Sequence, residues 1–186
     1  MNAFLIHGAY GNPKENWFPW LKRELEKLSV KVFVPEFPTP EDQNLDNWME
    51  VFTEYFPCLD ENTIMIGHSL GCAFILRILE LEEFIGPIKA SFFVSGFAEF
   101  LDDPIFDAIN KSFVYKKFGW RKIRKNCKRF FVLHSDNDPY VSLEKSKNLA
   151  KNLGVDAMVV KNAGHFNTKS DYTKFNVLLD MIKKEM

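Results

Sequence analysis

Residues 63–71 read Thr63-Ile64-Met65-Ile66-Gly67-His68-Ser69-Leu70-Gly71, and they contain the sharpest local signal in the chain. It starts as a short apolar run of the kind that forms a buried strand, and the apolar spacing after it predicts a helix over Leu70–Glu83. Between the two lies a G-x-S-x-G pattern centred on Ser69. A serine in a sharp turn from strand to helix needs small residues two positions away on either side, and glycine occupies both. The stretch therefore predicts a strand–turn–helix unit that presents a serine hydroxyl.

Strand and helix signals alternate from this unit to both ends of the chain. Short segments rich in Val, Ile, Phe and Leu predict strands over Ala3–His7, Lys31–Pro35, Thr63–Gly67, Ala90–Ser95, Arg129–Ser135 and Asp156–Lys161. Helical spacing of apolar residues predicts helices over Asn16–Leu28, Asn44–Phe56, Leu70–Glu83, Leu143–Leu153 and Asp171–Lys184. Because the strands are apolar on both faces, we expect an α/β fold, a three-layer sandwich with a mainly parallel sheet of about six strands. No repeat or linker interrupts it, so residues 1–186 are expected to form one domain.

The composition argues against several classes of function. The chain has 186 residues and a formal net charge of -1, which gives no overall attraction to nucleic acid or to an anionic membrane. No segment has the roughly 18 apolar residues of a membrane span. The odd set of cysteines, at unrelated spacings, favours free thiols and a cytoplasmic location, and no metal-ligand spacing occurs. We therefore expect no nucleic-acid partner, no membrane span, no metal and no organic cofactor.

Ser69 is the candidate nucleophile, and it needs a histidine base to activate it. Among the four histidines, His7 ends the first predicted strand next to Gly8, where a backbone role fits it better. His68 lies inside the sharp turn, and His134 lies inside a strand, where a satisfied, semi-buried imidazole is expected. His165 is different, because it follows the last strand, at the sheet edge where ligands bind in open α/β folds. Elimination therefore favours His165 as the base.

Two aspartates compete to be the acid that orients this base. Asp136 and Asp138 both follow the fifth predicted strand, between the serine and the histidine, as the chain order of such triads requires. Asp136 directly follows the strand and could cap the turn through an Asx hydrogen bond. Asp138 lies further into the loop, before a proline that fixes the chain. We therefore favour Asp138.

The loop after the first strand, His7-Gly8-Ala9-Tyr10-Gly11, is expected to complete an oxyanion hole. In a sheet of this kind it lies beside the serine turn and supplies a backbone N–H, while the residue after the serine supplies another. We expect Leu70 to be one donor and Ala9 the other, with Tyr10 as the alternative to Ala9. The loop lacks the glycine and lysine pattern of a phosphate-binding loop.

Segments along almost the whole chain carry a family resemblance. They are His7-Gly8, Asn16–Leu21, Pro35–Pro38, Trp48, Gly67–Gly71, Val94–Phe97, Asp138–Val141 and Gly164–Phe166. On these segments the chain resembles the α/β-hydrolase superfamily, and within it the small serine hydrolases of the retinoblastoma-binding-protein-nine type and similar bacterial proteins. The resemblance implies a minimal α/β-hydrolase fold with strand order 2-1-3-4-5-6. It also implies that Ser69, Asp138 and His165 form the catalytic triad.

Residues 98–128 form the longest connection between predicted strands and are the candidate for a small lid. From Lys111 to Arg129 the chain has nine basic residues and no acidic one, with aromatic residues between them. One hypothesis is a cationic lid that selects an acidic substrate, a membrane surface or a protein partner. The other is a helix whose basic face is simply solvated and whose rings are core.

Together these features predict a serine hydrolase that cleaves carboxylic esters, or thioesters or amides, through an acyl-enzyme on Ser69. Its partner would be a small-molecule acyl substrate. The main alternative is a protein-binding module that keeps the hydrolase fold with little or no turnover. Acyl transfer to an alcohol, or peroxide chemistry, is a further alternative for the same triad.

Overall fold

The computed structural model describes residues 1–81 and 86–186, and its centre is a parallel sheet. The strands are β1 (Asn2–Ile6), β2 (Lys31–Phe33), β3 (Ile64–His68), β4 (Ala90–Val94), β5 (Phe130–Ser135) and β6 (Ala157–Val160). They lie in the order β2-β1-β3-β4-β5-β6, and every neighbouring pair is parallel. The prediction of a six-stranded sheet in this order is confirmed.

Helices connect the strands. They are α1 (Phe18–Glu26), α2 (Leu45–Thr53), α3 (Leu70–Leu79), α4 (Pro104–Val114), α5 (Trp120–Lys125), α6 (Leu143–Leu153) and α7 (Asn176–Lys183), with short 3-10 turns at Phe56–Cys58 and Thr168–Ser170. The predicted bounds of α6 are confirmed, whereas the part of the third predicted helix over residues 82–83 lies outside the described residues. The last helix was predicted to begin at Asp171. It begins later, because Asp171 adopts a left-handed conformation with φ of 63° that ends the preceding 3-10 turn.

Helices cover both faces of the sheet, as predicted for a three-layer sandwich. On one face α1 packs against α7 over an apolar cluster that contains the fully buried Trp17. On the other face α3 lies on the sheet, α4 and α5 pack against α3, and the cluster contains Trp48. Every residue of α3 is buried, since it lies between the sheet and further helices. None of the helices in the described part of the chain is long and apolar enough to cross a bilayer.

The start of α3 passes very close to β1. A Cβ at Gly71 would lie 2.3 Å from the carbonyl oxygen of Ile6, a main-chain atom that cannot turn aside as a side chain can. A Cβ at Gly67 would lie 2.8 Å from the amide nitrogen of Cys72. Contact with the main chain therefore requires glycine at both positions, which confirms that the sharp turn needs small neighbours.

Gly71→Ala is expected to lower the free energy of unfolding by about 3 kcal/mol or more, because the added methyl group overlaps main-chain oxygen. In an ordinary helix the same change stabilises by about 1 kcal/mol, so the sign of the effect is diagnostic. Urea unfolding followed by circular dichroism measures it. Gly119→Ala is the control, since a Cβ there has no neighbour closer than 3.5 Å. A Gly71→Ala protein as stable as its parent would contradict the close approach.

Candidate active site

Ser69 occupies the turn between β3 and α3 in a strained backbone conformation, with φ of 54° and ψ of -121°. Such a conformation costs a non-glycine residue about 1–3 kcal/mol and persists only where the surroundings impose it. Here the Ser69 N–H donates to the Val94 carbonyl at 2.9 Å, and the Ser69 carbonyl accepts from the Cys72 N–H at 3.0 Å. These bonds hold the serine at the carboxyl ends of the central strands, where it lines a cavity.

The loop after β1 runs directly beside this serine. A Cβ at Gly8 would lie 2.8 Å from the Cβ of Ser69, so the loop approaches as closely as glycine permits. The His7 ring fixes the loop, because its Nδ1–H donates to the Gly8 carbonyl at 2.8 Å and its Nε2 accepts from the Phe37 N–H at 3.0 Å. Burial lowers the pKa of His7. His7 therefore has the backbone role that the sequence favoured for it.

The structure separates the two candidates for the second oxyanion donor. The Tyr10 N–H donates to the Thr39 hydroxyl oxygen at 2.7 Å and is thereby occupied. Within residues 1–81 and 86–186, the N–H groups of Ala9 and Leu70 donate to no protein acceptor. The geometry therefore favours Ala9 over Tyr10 as the partner of Leu70.

His165 and Asp138 are brought together by the loops after β6 and β5. The Nδ1–H of His165 contacts the two carboxylate oxygens of Asp138 at 2.8 and 3.0 Å. His165 also lines the cavity that Ser69 lines, although no direct hydrogen bond joins these two described residues. The bond between Nδ1 and the carboxylate leaves Nε2 of the imidazole as the nitrogen that can accept a proton.

The Asp138 carboxylate has further partners. Its Oδ2 accepts from the Ser95 hydroxyl at 2.8 Å, and its Oδ1 accepts from the N–H groups of Tyr140 and Val141 at 2.9 and 3.1 Å. Burial alone would raise the pKa of Asp138, but the hydrogen bonds and the charge of His165 outweigh burial, and the pKa lies below its ordinary value. Asp138 therefore stays ionised beside the imidazole. No role for Ser95 was predicted, although it lies in the segment Val94–Phe97 of the family resemblance.

His68 contacts both the main chain and the ring of His165. Its Nε2–H donates to the main-chain carbonyl of His165 at 2.8 Å, and the two rings lie 4.8 Å apart. Burial, followed by repulsion from His165, lowers the pKa of His68 to about 3, so its ring stays neutral and can hold this bond. Sequence reasoning excluded His68 as the base but gave it no other role.

His134 is a core histidine, as the sequence favoured. Its Nε2–H donates to the Val141 carbonyl at 2.9 Å and lies 3.9 Å from Oδ2 of Asp138, too far for a hydrogen bond. Burial lowers its pKa. Its Nδ1 is buried without a hydrogen-bond partner in the described part of the chain, so the ring is only half satisfied.

The loop that carries Asp138 is hydrogen-bonded to the loop that carries His165. Three consecutive N–H groups before His165 donate to side chains of the other loop. The Asn162 N–H donates to Asp136 at 2.8 Å, the Ala163 N–H to Ser135 at 2.9 Å and the Gly164 N–H to Asn137 at 2.8 Å. The Ser135 hydroxyl in turn donates to Asn137 Oδ1 at 2.7 Å. Asp136 therefore joins the two loops and does not contact the imidazole.

The cavity above these side chains has a volume of about 390 Å³. One side is aromatic and includes Tyr10, Phe106 and Tyr140, and other lining residues are polar, among them Glu15 and Lys169. No group of His, Cys, Asp and Glu side chains within residues 1–81 and 86–186 could hold a metal ion.

Segment 98–128 contributes only part of this cavity wall, through Leu101, Phe106 and Asn110. The basic side chains at 116, 117, 121 and 122 line a different cleft, together with residues of α2 and α3. A charge on these side chains would therefore not face a substrate at Ser69. A lid role for residues 98–128 stays a prediction.

The strand order and the strained serine turn are those of the α/β hydrolases. A family model described as "Serine hydrolase" matches residues 3–184, and the chain belongs to this family. It is similar to YdeN of Bacillus subtilis (strain 168), with 31% identity over 97% of this chain and 93% of YdeN. It is also similar to the serine hydrolase RBBP9 of Rattus norvegicus, with 25% identity over 97% of this chain and 93% of RBBP9. The crystal structure of the B. subtilis ydeN gene product matches with a TM-score of 0.93 at 30% identity, covering 99% of this chain and 97% of that one.

Proposed function

We propose that this protein is a hydrolase of small carboxylic esters that works through an acyl-enzyme on Ser69. The observation that carries the proposal is the contact of His165 with both oxygens of Asp138, at the edge of the cavity that Ser69 lines. A serine becomes nucleophilic when a histidine takes its proton, and that histidine needs an acid to hold one tautomer. Membership of the serine hydrolase family supports the same reading.

In the proposed reaction the Ser69 oxygen attacks the ester carbonyl carbon while Nε2 of His165 takes the serine proton. The C=O electrons move onto oxygen, and the N–H groups of Leu70 and Ala9 stabilise the oxyanion. Its collapse breaks the C–O bond to the alcohol, which leaves with the proton from His165. A water molecule, deprotonated by His165, then attacks the acyl carbon. Collapse of this second intermediate breaks the bond to the Ser69 oxygen, which takes the proton back from His165 as the acid leaves. The hydrogen bond from Ser69 to His165 forms as substrate binds, as is common for catalytic hydrogen bonds.

The size of the cavity supports the choice of small substrates. A volume of about 390 Å³ is at the lower end for small-molecule pockets, which range from about 300 to 1,000 Å³. Thioesters and amides would use the same machinery, and the preference for esters over amides rests on the leaving group, since an alcohol is expelled more readily than an amine. The free thiols Cys58, Cys72 and Cys127 favour a cytoplasmic location.

Labelling with a fluorophosphonate probe tests the proposal against the alternative of a binding module without turnover. An active serine is phosphonylated by such a probe, so we expect strong labelling that Ser69→Ala abolishes. Hydrolysis of short acyl esters, thioesters and amides at equal concentration then ranks the bond types. A folded protein that neither labels nor hydrolyses any member of the panel would favour the binding module.

Asn137 is expected to be a positioning residue for this reaction. Asn137→Leu removes the acceptor of the Gly164 N–H, so the loop before His165 shifts, and we expect kcat to fall on the order of 10–100-fold with little change in KM. Asn137→Asp keeps an oxygen acceptor and should restore most of kcat. Asn44→Leu is the matched control, because its side chain also accepts a main-chain N–H but lies at the start of α2. Equal kcat values for the Leu and Asp variants would argue against positioning.

A further inference from the structure

Glu15 places a carboxylate in the wall of the catalytic cavity. It lies in the segment between β1 and α1, lines the same cavity as Ser69 and His165, and is half-buried. None of the proposed catalytic steps uses it. A charged side chain at this position therefore needs a separate explanation.

The surrounding residues hold this carboxylate in place. A Cβ at Gly11 would lie 2.9 Å from Oε1 of Glu15, so the absence of a side chain there makes room for the carboxylate. The next residue, Asn16, has φ of 52°, and its Oδ1 accepts from both the N–H and the hydroxyl of Thr168 at 2.9 and 3.1 Å. Thr168 follows His165 by three residues, so the segment that carries Glu15 is fixed to the loop that carries the base.

The charge of Glu15 is poorly matched by the protein. Its oxygens accept long hydrogen bonds from the side-chain amides of Asn12 and Asn16, at 3.4 and 3.3 Å, and a main-chain hydrogen bond from Asn12. Burial raises its pKa, and hydrogen bonds offset this only in part. Among the ion pairs of residues 1–81 and 86–186, none includes Glu15, and Lys169 lines the cavity without pairing with it. A half-buried carboxylate without a cation gains from a ligand that supplies one.

Aromatic rings on the cavity wall suit the same kind of ligand. Tyr10 contacts Phe106 edge-on at 6.3 Å, Phe106 contacts Tyr140 at 5.8 Å, and Tyr140 contacts the His165 ring at 5.0 Å. Tyr10 and Tyr140 are 52% and 37% exposed, so part of each ring is open to a ligand in the cavity. Ring faces attract organic cations, and the attraction strengthens as the cation loses water.

We propose that Glu15 is a specificity-determining residue that selects ester substrates bearing a positively charged organic group. The proposal rests on the proposed hydrolase function. The cation of the substrate pairs with the Glu15 carboxylate and contacts the aromatic wall, while the ester carbonyl lies at Ser69. Lys169 is exposed at the rim, where water screens its charge more than that of Glu15.

The test compares two acetate esters of nearly equal shape, acetylcholine and uncharged 3,3-dimethylbutyl acetate. We expect kcat/KM for the cationic ester to exceed that for the neutral one by about tenfold, and Glu15→Gln to bring the ratio near one. Glu54→Gln is the control for a general loss of negative charge, because Glu54 is exposed and does not line the cavity. A ratio near one in the parent protein, or a ratio that Glu15→Gln leaves unchanged, overturns the proposal.

A second measurement does not depend on turnover of either ester. Tetramethylammonium chloride should slow fluorophosphonate labelling of Ser69 in the parent protein, relative to potassium chloride at the same ionic strength, and should not do so in Glu15→Gln. Equal labelling rates in the two salts overturn the role of Glu15 and leave the hydrolase proposal intact. Absence of labelling in both salts counts against the hydrolase function, on which this role depends.

Discussion

Ser69→Ala is expected to lower kcat for a simple ester by about 10⁴–10⁶-fold. In the proposed reaction the acyl-enzyme forms on the serine oxygen, and alanine has no atom that can replace it. Stability should change little. Alanine at position 69 would adopt the same strained backbone conformation, because the main-chain hydrogen bonds that hold this conformation do not involve the hydroxyl. Steady-state hydrolysis and probe labelling of the same preparation measure the effect.

Ser146→Ala is the matched control for this prediction. Ser146 is fully buried on α6, does not line the catalytic cavity, and its hydroxyl has no hydrogen-bond partner in the described part of the chain. Removing that hydroxyl should leave kcat unchanged and stability equal or slightly higher. If Ser69→Ala kept more than about a tenth of the parent activity, the assignment of the nucleophile would be wrong.

Asp138→Asn is expected to lower kcat by about 10⁴-fold while the fold is kept, an effect of the size that loss of the correct histidine tautomer produces. The remaining amide oxygen can still accept from the N–H groups of Tyr140 and Val141, so the loop keeps its shape. The amide nitrogen replaces the oxygen that accepts from Nδ1–H of His165. Two donors then face each other, and the imidazole turns or adopts the other tautomer.

Asp136→Asn tests which of the two aspartates, Asp136 or Asp138, is the acid of the triad. Its side chain accepts the Asn162 N–H at 2.8 Å, and an asparagine oxygen can do the same. We therefore expect kcat to stay within about tenfold of the parent, as for an altered loop contact away from the reacting atoms. A larger loss in Asp136→Asn than in Asp138→Asn would reverse the choice of acid. The ratio of the two variants in one assay decides it.

The fold class could be predicted from the sequence, because strand and helix signals are local and alternate along the chain. The apolar run at Thr63–Ile66, the glycines around Ser69 and the helix after it could all be read within a few residues. The structure confirms the six-stranded sheet, and it confirms the strand order that the family resemblance implied. Boundaries were less exact, as the late start of α7 shows. The candidate triad was also reached from the sequence, through the serine turn, the chain order and the family resemblance.

Hydrogen bonds between residues that are distant in sequence could be seen only in the tertiary structure. The Tyr10 N–H donates to the Thr39 hydroxyl oxygen, and this bond favours Ala9 over Tyr10 as the candidate oxyanion donor. No local sequence pattern predicts that contact. Likewise the hydrogen bonds from the loop before His165 to Ser135, Asp136 and Asn137 exist only because β5 and β6 are neighbours in the sheet. The position of Glu15 in the cavity arises in the same way. Local propensity places the helices and strands to within a few residues. Which polar groups form hydrogen bonds, and which charges stay unpaired, depends on how distant segments pack together.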